Sequence, residues 1–202
     1  MMKRRLSNDT SQETKILKLD QTTAKNDERL ELFKKWLDEN NVIYQNVDIC
    51  QSSFGYSLRS KIEIASHTHV IQIPKHVLMY ADCHFQQETS ILFRDVENLI
   101  YDQIDKETFY LTLFLLEERL KGNESFWYPY LNLLPKHFTT PLFFTDEQLD
   151  NYLELTSPYH MARTMKESMK DVYELIPAAK FNLHDFLWAY TVISSRAFKL
   201  KL

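Results

Sequence analysis

Glycine is nearly missing from this chain: among 202 residues only Gly55 and Gly122 are free of a Cβ. Phosphate-cradling loops and dinucleotide fingerprints need several glycines close together, so both are excluded. Cysteine is as sparse. Cys50 and Cys83 alone make neither a disulfide framework nor a zinc site, and they read as two buried thiols in a reducing compartment. No apolar run is long enough to span a bilayer, and the N-terminus has no hydrophobic signal core. The chain is therefore expected to be intracellular, cytoplasmic or nuclear, with no membrane contact. An excess of positive charge is lacking too. A formal net charge of −4 and a pI near 6.0 do not suit a general grip on nucleic acid.

What is present is apolar and aromatic. The chain is 44% hydrophobic, with 13 Phe, 11 Tyr and 3 Trp, enough for one globular domain with a tail. Residues 1–27 are polar and without periodicity, which reads as a disordered lead-in. Within it, Lys3-Arg4-Arg5 is either a charged tail or a short nuclear address. From Glu28 the pattern changes. Leu30, Phe33, Trp36 and Leu37 share one helical face, and Asn40-Asn41 is the stop. Residues 42–49, 56–60 and 68–73 read as extended. The β-branched run Val70, Ile71, Ile73 predicts a substantially buried strand ending at Pro74. Beyond Pro74 the pattern is helical. Residues 106–121 carry a stripe of Phe109, Leu113, Leu116 and Leu120, with Asp105 as N-cap and Gly122-Asn123 as stop. Pro158 opens a helix running to about Leu175, ended by Pro177, and Asn182 with Asp185 resembles a capping box for the last helix.

Few side chains announce chemistry. Gly55, within Phe54-Gly55-Tyr56-Ser57-Leu58, allows either a flat ligand to rest on main-chain groups or an ordinary hairpin turn. Arg196 lies near the end of an otherwise apolar helix with Trp188, Val192, Ile193 and Phe198. Such a guanidinium calls for an anion, either a carboxylate ligand or a structural salt-bridge partner, unless it snorkels to the surface. His67 and His69 lack a further ligand nearby and read as exposed turn histidines, so no metal site is expected. Ser194-Ser195 lacks a nucleophile elbow, and Glu117 and Glu118 read as neighbours on a charged helix face.

The order of several short motifs is more telling than any one of them. Ile71-Gln72-Ile73-Pro74-Lys75-His76-Val77-Leu78-Met79 comes first. Ser125-Phe126-Trp127-Tyr128-Pro129-Tyr130 with Leu133-Leu134-Pro135 follows, then Thr140-Pro141-Leu142-Phe143-Phe144. Phe186-Leu187-Trp188-Ala189 and Ser195-Arg196-Ala197-Phe198 close the series. In this order they resemble the SET-domain methyltransferases similar to the plant Rubisco large-subunit enzyme, from about Glu28 to Phe198.

That resemblance implies an α+β fold, the N-terminal part of a SET β-fold carrying a large, mainly helical insertion. It divides the chain into a tail (1–27), an N-terminal helix with the first SET strands (28–80), the helical insertion (81–185) and a return helix (186–202). It implies S-adenosylmethionine as methyl donor and a protein lysine as usual acceptor, with a histidine of actin in one branch. By position Gly55, Tyr56 and Leu58 would line the donor cleft, Tyr56 through its main chain, and Arg196 would hold the donor's methionine carboxylate across the same crevice. The family turn usually has an acidic residue before its first glycine and a second glycine two positions on; here Phe54 and Ser57 stand there. Family members also continue past the arginine helix with an Asn-His pair, a tyrosine and a substrate-binding domain. The sequence is accordingly expected to be a truncated, catalytically incomplete chain with no catalytic residue of its own. The alternative is a non-catalytic module that binds a protein partner.

Overall fold

The computed structural model describes residues 27–52, 55–81, 104–176 and 180–198, in two compact units, 1–73 and 74–202. The expected disordered lead-in up to residue 26, Phe54, Cys83 and the stop at Pro177 lie outside the described residues.

The first unit opens with helix α1 (Glu28–Glu39). Asp27 is its N-cap, its carboxylate accepting from the Arg29 amide at 3.1 Å. Asn40 ends the helix and Asn41 turns the chain at φ 58°, as the Asn pair predicts. Leu30, Trp36 and Leu37 are buried, as are Val42, Val47 and Ile49. Strand β1 (Val47–Ser52) pairs antiparallel with β2 (Gly55–Ser60), in a register running from Val47 opposite Ser60 to Ser52 opposite Gly55. The expected third strand shrinks to a single bridge between Ile43 and Gln72, with amide-to-carbonyl distances of 3.0 and 2.9 Å. Val70 and Ile73 are exposed and Ile71 is half-buried, so the predicted burial is not found. A β-branched run fits a pleated surface, but only a covering layer buries it.

The second unit is helical: α2 (Lys106–Lys121), α3 (Tyr128–Leu131), α4 (Asp146–Leu153), α5 (Ser157–Glu174) and α6 (Leu183–Arg196), with single 3-10 turns at Lys75–Val77, Gly122–Glu124 and Pro141–Phe143. The predicted caps of α2 hold: the Asp105 carboxylate accepts from the Thr108 amide, and Gly122 takes φ +57° just past the end. The stripe is wider than predicted. Tyr110, Thr112, Phe114 and Leu115 are buried beside Phe109, Leu113 and Leu116, whereas Leu120 is 55% exposed. Helix α2 is thus enclosed on most sides, packs chiefly on α6, and shares one buried cluster with Phe186, Ala189, Val192 and Ile193 of α6 and Met169 and Val172 of α5. Asn182 caps α6 through the Asp185 amide at 2.9 Å, while the Asp185 carboxylate faces Arg119 at 3.6 Å.

Glu118 corrects a second expectation. Its side chain is buried, not on a charged face; it accepts from Ser125 at 2.7 Å and pairs with Lys121. Ser125 Oγ in turn accepts from the Trp127 amide at 3.1 Å. The Trp127 indole N–H donates to the Val77 carbonyl at 2.9 Å, and that of Trp188 to the Pro135 carbonyl at 2.7 Å. The aromatic motif residues therefore tie distant loops to the helices.

Candidate functional site

Gly55 sits at φ +103°, a conformation that favours glycine, with no atom within 4 Å of a would-be Cβ. The backbone angle calls for glycine here, and no described protein atom crowds it. Its carbonyl accepts from the Ser52 hydroxyl at 2.9 Å. Among the described residues β2 pairs on one side only, with β1, so alternate main-chain groups along its outer edge face away from the ladder. Leu58 is 56% exposed and Ser57 is exposed, its hydroxyl 3.5 Å from the half-buried Cys50 thiol.

Tyr56 is anchored by its side chain. Its ring is half-buried, and its hydroxyl donates to Asp27 Oδ2 in a short hydrogen bond. Arg29 pairs with the same carboxylate, Nε on Oδ1 at 3.1 Å and Nη2 on Oδ2 at 3.0 Å, and its guanidinium carbon lies 6.0 Å from the Tyr56 ring centre. The hydrogen bonds from Arg29 and then Tyr56 hold the Asp27 carboxyl down to about 2. Burial, and then the bond to Asp27, push the Tyr56 phenol up to about 12. Bonding to Asp27 raises Arg29 as well. Sequence reading missed Asp27 and Arg29, although an aspartate immediately before a periodic apolar run is an N-cap signature.

Arg196 is the last residue of α6, in the second unit. Its guanidinium is exposed rather than buried, so the desolvation cost expected from its apolar helix does not arise. Nη1 donates to Ser195 Oγ at 2.9 Å, and that hydroxyl donates to the Thr191 carbonyl at 2.6 Å. The guanidinium carbon lies 5.9 Å from the Phe138 ring centre. Burial raises the neighbouring Tyr130 phenol, and the Arg196 charge partly offsets this. Among the described residues no carboxylate pairs with Arg196, and its exposure fits an arginine reaching to the surface as well as one awaiting an anionic ligand. A cation here also suits the negative end of the helix dipole.

The remaining candidates are plainer. His67 and His69 are exposed, His67 in a turn at φ 63°. No cluster of three or more potential metal ligands occurs among the described residues. A shallow groove of about 430 Å³ runs along α5 and α6, lined by His160, Met161, Met165, Met169 and Tyr190. No helix among the described residues is long and apolar enough to cross a membrane.

The curated relatives of the chain are SET-domain and related protein methyltransferases. It is 37% identical over 99 residues to the ribosomal lysine N-methyltransferase set10 of Schizosaccharomyces pombe, covering 46% of this chain and 18% of that protein. It is 26% identical over 177 residues to the actin-histidine N-methyltransferase of Gallus gallus, covering 80% of this chain and 29% of that protein. Among solved structures it superposes on Rubisco LSMT bound to sinefungin and monomethyllysine with a TM-score of 0.69 and 24% identity, over 84% of this chain and 41% of that one. The fold of this chain is thus that of a Rubisco LSMT-like SET protein, while the chain spans well under half the length of these relatives. No protein-family model matches it.

Proposed function

We propose that the chain supplies methyl-donor contacts of an S-adenosylmethionine-dependent SET protein N-methyltransferase. The observation that carries this reading is Arg196: a guanidinium braced by Ser195 and lying against Phe138, exposed and with no carboxylate of the described residues upon it. Its planar fork suits the donor's carboxylate. The outer edge of β2, unpaired among the described residues, lets Tyr56 and Leu58 offer main-chain groups to a flat ligand, with the positive-φ Gly55 leading the chain into it. When bound, S-adenosylmethionine supplies an electrophilic methyl group on a sulfonium. The residues named here bind and orient, and none of them is assigned a proton transfer. The acceptor is a nitrogen of a protein side chain, lysine as in set10 or histidine as in the actin enzyme, judged from those relatives' names.

Calorimetric titration with sinefungin tests the reading. Arg196→Ala is expected to weaken binding about 10- to 100-fold, the value of a hydrogen bond to a charged group. Arg196→Lys keeps the charge but not the fork and is expected between the two. Unchanged affinity in Arg196→Ala overturns the assignment.

A second reading, a non-catalytic protein-binding module, draws on the methionine-rich groove, in which Met161 and Met165 are exposed. It gains ground if wild-type protein gives no heat with sinefungin.

A further inference from the structure

Asp27 divides its two carboxylate oxygens between two tasks. Oδ1 caps α1 through the Arg29 amide at 3.1 Å and also accepts from Arg29 Nε. Oδ2 accepts from Arg29 Nη2 and from the Tyr56 hydroxyl, 29 residues away on β2. An N-cap needs one acceptor oxygen. The second oxygen therefore does something that capping does not require: it ties β2 to the start of α1. The side chain of Tyr56 leads to Asp27, and its main chain sits on the strand edge next to the positive-φ Gly55.

We propose that Asp27 is a positioning residue for donor binding: its Oδ2 anchors the Tyr56 phenol and so fixes the β2 backbone from Gly55 to Leu58, whose Tyr56 and Leu58 main-chain groups face the donor. The proposal rests on the donor reading of β2 given above. Asp27 does not touch the donor; it acts through Tyr56. Arg29 lies beside both and keeps the carboxylate ionised. The tether matters because β2 is otherwise poorly held. Five of its six residues are exposed, and β1 is its one strand neighbour among the described residues. A strand gripped on one edge alone leaves a ligand to bear the ordering of its backbone, which lowers affinity.

The two tasks can be separated by substitution. Asp27→Ser keeps a capping oxygen but has none to spare for Tyr56. Tyr56→Phe removes the hydroxyl and leaves the cap and the strand backbone. Each is expected to weaken sinefungin binding about fivefold by calorimetry, and the double variant to be no weaker than either single one. Thr145→Ala, which breaks the capping box of α4, is the control: it lowers the melting temperature and leaves the affinity unchanged. If Asp27→Ser or Tyr56→Phe binds as tightly as wild type, the positioning role falls and the donor reading stands. Losses that add in the double variant likewise overturn a shared tether. No binding by wild-type protein overturns the donor reading and this inference with it.

Discussion

Asp27, Tyr56 and Tyr44 give the first unit a pH signature at both ends of the scale. The Asp27 carboxyl sits at about 2 against an ordinary 3.8, so the unfolded chain takes up its proton first as the solution is acidified. Its contribution is complete above the ordinary value and drains away as pH falls through about 2. The phenols run the other way. Burial, with a hydrogen bond to Asp38 for Tyr44 and to Asp27 for Tyr56, pushes each from 10.0 to about 12. Their contribution is whole below the ordinary value and is lost as pH rises through about 12. Circular dichroism of denaturant midpoints against pH should therefore show a shallower acid limb in Asp27→Asn and a shallower alkaline limb in Tyr44→Phe and Tyr56→Phe. Limbs as steep as wild type would remove these groups from the account. Sequence reading proposed Gly55, Tyr56, Leu58 and Arg196 through the order of family motifs, since neither a lone glycine nor a lone cation on an apolar helix was telling by itself. It passed over Asp27 because that residue merges in composition with the polar tail before it, and a tether across 29 residues leaves no local trace.

At the scale of elements, the caps decide most of what is seen. Asp105, Gly122, Pro158 and Asn182 mark helix ends in the sequence and in the structure alike, because each satisfies or spares an end group by a local rule. Thr145 and Gln148 form a full capping box by the same rule, one residue past the Thr140–Phe144 motif, yet sequence reading missed them. The 68–73 segment failed for a different reason. Strand propensity is a statement about what packs on top, and no local pattern reports that. Gly55→Ala separates torsion from crowding. With φ +103° and open space around the new methyl, the cost is torsional, about 1 kcal/mol of stability in a denaturant titration. A loss much larger than this would mean that the site is crowded after all.

At the scale of the whole molecule, the core of the second unit sets which apolar residues matter. Leu116 and Leu120 share the predicted stripe, but they are 1% and 55% exposed. Leu116→Ala is expected to cost about 2–5 kcal/mol and Leu120→Ala no more than about 0.5 kcal/mol. Equal losses would contradict the enclosed packing of α2. The likeness to SET proteins was legible from sequence because its motif residues build the fold: Ser125 on Glu118, Trp127 on Val77, Trp188 on Pro135. The proposed donor contacts are less legible, since main-chain recognition leaves little side-chain signature. Those indoles have an optical consequence. Of the three tryptophans, Trp36 is 8% exposed in the first unit, while Trp188 in the second is 4% exposed with Arg119 4.0 Å from its ring centre. Intrinsic fluorescence therefore has a native lamp in each unit, and single-tryptophan variants can watch one loosen without a label and without light from the other.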